Sequence, residues 1–285
     1  MNGIDKGERR SLVGGLMAFG SGRKLAKYSA IGKVTVRNQF AYIVDALFRS
    51  LFLLVILYIL IQLWKVTYGG MGTERIAGYT FSQMIWYLIV SESIIMASPR
   101  VTTTVEEEVK TGGIAYLMTR PFSYIGYQYA TYMGEASVKL LINLTLGSLL
   151  GLTLIGVPDF GWGAIAFWPV AVLAFTVNFL IRMSLALTAF WVEETQGLTL
   201  VYDKLLFTIG GMLLPLELFP EALRRVCEWL PFQAVVYFPA KTAVRFDAAA
   251  LQHMVAVQFV WGAVLAVLLA FIYRKGVKRL NVNGG

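Results

Sequence analysis

Residues 252–273 read QHMVAVQFVWGAVLAVLLAFIY. The stretch contains no Asp, Glu, Lys or Arg, and Arg274, Lys275, Lys278 and Arg279 follow it directly. A helix rises about 1.5 Å per residue, so a run of this length reaches across the roughly 30 Å hydrocarbon core of a bilayer. A soluble core does not need an uncharged run this long. The segment reads as a membrane span with a basic, water-facing end.

The pattern recurs along the chain. Apolar runs at 44–64, 81–98, 123–156, 163–192 and 198–216 bring the expected spans to six. The third and fourth exceed what a bilayer needs, which leaves room for tilt or a polar overhang. The fifth, GLTLVYDKLLFTIGGMLLP, is the weakest, because it holds Asp203, Lys204 and the pair Gly210-Gly211. Over 285 residues the chain is 57% hydrophobic and 15% charged, against about 25% charged in average globular chains. The expected class is an all-α polytopic membrane protein.

Basic residues set the orientation. Of the 25 Lys and Arg, 17 flank the runs on the side of both termini and six lie on the other side. Cytoplasmic flanks carry the basic excess, so both termini are expected inside, in a multi-pass protein of the cytoplasmic (inner) membrane. A net charge of +8 spread over flanks forms no patch for nucleic acid. One Cys, Cys227, excludes a disulfide within the chain, and one His, His253, argues against a His-rich metal or haem site.

LVGGLMAFG at 12–20, after Lys6, Arg9 and Arg10, resembles a signal sequence. Arg23, Lys24, Lys27, Lys33 and Arg37 follow at once and would resist translocation, so no cleavage is expected. From there to the first span, Leu25, Tyr28, Ala30, Ile31, Val34 and Val36 recur at near-helical spacing among bases. That is the pattern of an amphipathic helix lying in the membrane interface.

Between the fifth and sixth runs, Pro220 precedes EALRRVCEWL and Pro231 follows it. Proline suits a helix start and stops a helix interior. FQAVVYF is then expected to be cut by Pro239. The pieces are too short to span and, with Trp229, Phe232, Tyr237 and Phe238, too apolar for a solvated loop. They read as short interfacial or re-entrant helices.

Chemistry is hard to find. The Asp residues are scattered, and Glu106, Glu107 and Glu108 point different ways on a helix. No GxSxG, HExxH, CxxC or Walker GxxxxGK[ST] pattern occurs; Gly15 to Ser21 lacks the Lys. Charges inside spans mark the candidate pathway: Glu92, Glu135, Lys139 and Arg182. Glu135 and Lys139 are four apart and able to pair. Arg182 is expected to face the bundle interior or a partner subunit.

The order of parts resembles the membrane subunit of type-2 ABC exporters. EVKTGGIAYLMTRPFSY, Glu108 to Tyr124, resembles the family's run before its third span. GGMLLPLELFPEALRRVCEWLPFQAVVYFPA, Gly210 to Ala240, resembles its proline-marked outer segment. The resemblance covers nearly the whole chain, in a poorly characterised subgroup similar to drug and antibiotic exporters. It implies a cytoplasmic N-terminal segment at 1–43 and a six-span domain at 44–285. Within that domain, 99–122 would couple to an ATPase, and 217–250 would form outer broken helices. Glu108, Gly112, Gly113, Ile114, Leu117, Arg120 and Pro121 would serve coupling, with Ile114, Tyr116, Leu117 and Met118 as an apolar knob. Pro215, Pro220, Pro231 and Pro239 would shape the outer gate. ATP and Mg would bind a partner ATPase and no cofactor this chain. Pairing with a second copy or a sister permease would build the pathway for a small amphipathic compound, a drug or lipid. Polysaccharide or glycolipid export, a non-transporting scaffold and a membrane enzyme are the competing readings.

Overall fold

A computed structural model describes residues 26–41, 43–192 and 194–283. The signal-like stretch at 12–20 and the near-miss phosphate loop at 15–21 lie outside the described residues. Helix α1 covers 26–41, and α2 follows as Ile43–Met71. On α2 the buried side chains Leu53, Leu57, Ile61, Trp64 and Tyr68 recur every three to four residues. Phe48, Phe52, Val55 and Ile59 on its other side are equally apolar but exposed. Water-soluble helices reserve that second face for polar residues, so this one is built for lipid.

A tight hairpin comes next, with β1 (Arg75–Ile76) paired to β2 (Tyr79–Thr80). Its two turn residues, Ala77 at φ 50° and Gly78 at φ 84°, fit a primed two-residue turn. Thr80 then caps α3 (Phe81–Ala97): its side chain accepts from Gln83 N, and the Gln83 side chain accepts from Thr80 N. This capping box fixes where the helix begins. Every residue from Met84 to Ile94 on α3 is buried, which makes it the central helix of the bundle.

After Ser98 and Pro99 come α4 (Val101–Lys110) and the six-residue α5 (Gly113–Met118). Helix α6 (Tyr124–Leu154) packs along α3. A Cβ at Gly151 would sit 2.7 Å from Ile89 and 3.0 Å from Trp86, so the contact depends on glycine. Helix α1 lies beside the first turns of α6, where the Tyr28 hydroxyl accepts from Ser123 N at 3.0 Å. Then come α7 (Gly163–Ala186), a 3-10 turn at Leu187–Phe190, and α8 (Gln196–Ile209). Beyond a 3-10 turn at Leu216–Leu218 lie α9 (Glu221–Glu228), a 3-10 turn at Pro231–Ala234, α10 (Tyr237–Val244) and α11 (Ala248–Asn283).

Among the described residues five helical segments are long and apolar enough to cross a membrane: Ser50–Met71, Phe81–Lys110, Tyr124–Leu154, Gly163–Phe190 and Ala248–Arg279. The expected run 198–216 is not among them. Helix α8 has 14 residues, about 21 Å of helix, and stops at Gly210. Gly211, at φ 79°, carries the chain out of the helix. Pro239 also departs from expectation. It does not cut a helix but sits in the first turn of α10, where a proline forfeits no helical hydrogen bond.

Candidate functional site

Two clusters of ties stand at opposite ends of α3–α4. At the α4–α5 end, α4 holds one face inward through Val101, Thr102, Val105 and Glu106. The Glu106 carboxylate accepts from Thr195 N at 3.1 Å and from the Thr195 hydroxyl, and pairs with Lys110 at 2.6 Å. Thr195 immediately precedes α8, so this contact ties α4 to the start of α8. Two residues on, Glu108 accepts from the Tyr124 hydroxyl at 2.5 Å and from Gln128 Nε2 at 2.8 Å. That second contact ties α4 to the start of α6.

Thr111 ends α4, and Gly112 reverses the chain in the left-handed region at φ 74°. A Cβ there would meet nothing within 4 Å, so the demand is on backbone conformation alone. Helix α5 then presents Tyr116, which is 63% exposed. Arg120 donates to the Tyr116 hydroxyl at 2.8 Å, with its guanidinium 5.0 Å from the ring centroid. Pro121 is exposed beside it.

The expected apolar knob is redistributed. Ile114 is fully buried, and Leu117 and Met118 are half-buried against the core. Only Tyr116 projects. A one-turn helix packed on α4 must spend most of its apolar side chains on that packing. Likewise Glu108 points back into the bundle, whereas Glu107 is exposed.

Between the two ends, three of the four intramembrane charges are paired. Lys139 donates to Glu135 at 2.5 Å along α6. Arg182 is buried and faces the bundle interior. It donates to Asn178 at 3.1 Å and to Asp203 of α8 at 2.7 Å, and lies 5.1 Å from the Tyr202 ring centroid. Asn178 also donates to Tyr132 and Ser98, both at 2.9 Å, and accepts from the Tyr202 hydroxyl at 2.8 Å. One polar cluster thus joins the base of α3 to α6, α7 and α8. Glu92 is 1% exposed, and its Oε1 has no hydrogen-bond partner among the described residues.

At the hairpin end, the segment after α8 is fastened by side chains in place of helical bonds. The Tyr87 hydroxyl donates to the Gly211 carbonyl, and Ser91 donates to the Met212 carbonyl at 2.8 Å. Glu217 pairs with Lys241 at 2.7 Å and accepts from the Tyr237 hydroxyl at 2.8 Å and the Tyr79 hydroxyl at 3.3 Å. Arg245 lies 4.7 Å from the Tyr79 ring centroid. Burial pushes the Glu217 carboxyl up, but the Lys241 ammonium and the Tyr237 hydroxyl outweigh it and hold it below the ordinary carboxylate value. Burial and the Glu217 charge together push the Tyr237 phenol up.

The prolines flank this cluster. Pro215 is buried before the Leu216–Leu218 turn, Pro220 precedes α9, and Pro231 opens the next 3-10 turn. On α9 only Cys227 turns inward, at 1% exposure; Leu223, Val226 and Trp229 face out.

Sequence reasoning missed Glu106, Thr195, Asn178, Tyr202, Glu217 and the tyrosines around it. Their partners lie far away in the chain, so no local spacing announces them. Among the described residues no three His, Cys, Asp or Glu side chains converge as metal ligands.

Comparison with curated proteins gave no match. A family model described as ABC-2 family transporter protein matches residues 39–284. That span takes in every helix from α2 to α11. This family characteristically supplies the non-catalytic membrane subunit that associates with ABC ATPases. The chain belongs to the ABC-2 transporter family, as a multi-pass permease subunit.

Proposed function

We propose that this chain is the six-crossing permease of an ATP-driven exporter in the inner membrane, with both termini cytoplasmic. The five long helices supply five crossings, and 196–216 supplies the other as a half-helix completed by an unwound stretch. Non-helical backbone is tolerated at membrane depth only where protein or a water-filled cavity covers it. Gly210, Gly211 and Met212 are buried, and Tyr87 and Ser91 serve the last two. The basic excess near the termini supports this orientation.

In this reading α4–α5 is the coupling element. One observation carries it: a short helix with an exposed Tyr116 stands on a longer helix, two of whose three carboxylates reach α8 and α6 separately. A push on α5 therefore moves the bases of two crossings together. Tyr116, braced by Arg120, is the contact offered to a partner ATPase. Helix α8 carries the displacement to the Gly211–Glu217 segment, and the tyrosine-bound Glu217 holds the outer exit closed. Two permeases, identical or related, line the pathway for a small amphipathic compound. ATP and Mg belong to the ATPase partner.

The test is a mild-detergent pull-down of the tagged chain, read by mass spectrometry. A stoichiometric ATPase with a Walker motif is expected, and Tyr116→Asp should lower its recovery about tenfold or more, the scale of an aromatic anchor. Recovery of the folded chain alone, or undiminished recovery with Tyr116→Asp, would overturn the reading.

A further inference from the structure

A cavity of about 380 Å³ lies between α2, the α3–α4 junction and α6. Its polar wall is Arg100, Lys139, Asn143 and Ser98, and its apolar wall includes Phe52 and Met96. The size is at the lower end of small-molecule sites. It suits one headgroup, not a whole lipid.

The charges do not cancel. Lys139 is engaged by Glu135. The Arg100 side chain is exposed and makes no hydrogen bond or ion pair among the described residues. Among the described residues two cations and no carboxylate line the cavity, and Glu135 pairs only with Lys139, which leaves a surplus positive charge in a half-enclosed space. Asn143 is buried and already holds Ser50 at 2.8 Å, so the wall is pre-arranged.

Position decides what fills it. Phe52 is 62% exposed on the flank of α2 and forms one lip. The cavity therefore opens toward the surroundings of a membrane helix, where lipid is the solvent. Arg100 comes just past the end of the apolar run 81–98, and Lys139 shares the cavity wall with it. A guanidinium fork takes two phosphate oxygens at once, and basic pockets between spans recruit anionic headgroups.

We propose that this cavity binds the phosphodiester headgroup of an anionic membrane lipid. Arg100 and Lys139 hold the phosphate, and Phe52 and Met96 flank the first carbons of the acyl chains. The bound headgroup would sit on the joint between α3 and α4. The proposal rests only on the chain being a membrane protein, not on the exporter reading.

Native mass spectrometry of the full-length chain, offered equimolar phosphatidylglycerol and phosphatidylcholine in mild detergent, tests it. Wild type should retain phosphatidylglycerol about tenfold over phosphatidylcholine, the worth of one charge-assisted contact. Arg100→Gln should abolish that preference with an unchanged melting temperature, since Arg100 is exposed. Arg100→Lys should keep most of it, and Lys278→Gln with Arg279→Gln should keep all of it. Equal retention of the two lipids by wild type would overturn the proposal. So would a preference that survives Arg100→Gln, alone or combined with Lys139→Gln. Displacement by millimolar inorganic phosphate would assign the site to the free anion and overturn the lipid assignment.

Discussion

At the α4–α5 end, two carboxylates on one continuous helix each hold a different distant segment. At the hairpin end, a single carboxylate on a 3-10 turn gathers three partners. Glu106 and Glu108 act from a helix whose own hydrogen bonds keep its shape, so breaking either contact leaves α4 intact. Glu217 has no such support, because the backbone from Gly210 to Pro220 contains only one short turn. Its contacts hold the segment itself in place. In the proposed reading one end is a lever, and the other is a latch.

The largest effect should come from breaking the lever. Glu106→Ala leaves the Thr195 N–H buried without an acceptor, a loss of about 2–3 kcal/mol. Thermal melts in detergent should show it, and Glu106→Gln should restore part. A cost smaller than that of Glu217→Ala would reverse the ranking of the two ends.

Glu217→Gln comes second, at about 1–2 kcal/mol, because an amide keeps hydrogen bonds but loses the Lys241 pair. Its pH dependence sharpens the contrast. The folded carboxyl titrates below the ordinary value of about 4.3, so its contribution is fully present above that value and lost as pH falls through the folded value. Melting curves from pH 8 to pH 5 should show no loss from this group. The variant should lack the wild type's acid limb.

Gly112→Ala should cost about 1 kcal/mol, the price of a side chain in the left-handed region. The same melts would show it, with α4 and its ties untouched. Smallest of all is Arg225→Ala on α9, whose exposed pair with Glu221 should contribute under about 0.5 kcal/mol. A large loss there would mean that the latch extends into α9.

Much of this frame is legible in the sequence, because lipid demands long apolar runs and the runs are blunt. The run 198–216 misleads for a physical reason. Hydropathy records that a segment is apolar, not that it stays helical, and Gly210-Gly211 ends the helix while Met212 to Leu214 stay apolar. Pro239 misleads because its effect depends on whether it falls in the first turn or the interior. Glu108 could be placed on its helix by spacing, but not aimed. Glu106 and Thr195 are 89 residues apart, and Arg182 and Asp203 are 21 apart. Nothing local links either pair. The tyrosines that fasten the latch read in sequence as generic membrane aromatics.

Cys227 turns this architecture into a clock. It is the one thiol in the chain, on the inward face of α9, and burial pushes its pKa up. A maleimide added to the native protein reaches it only when α9 lifts from the segment that Glu217 secures. The rate of single-site alkylation therefore counts separations of α9 from that segment, with no engineered residue, and Glu217→Gln should make the clock run faster.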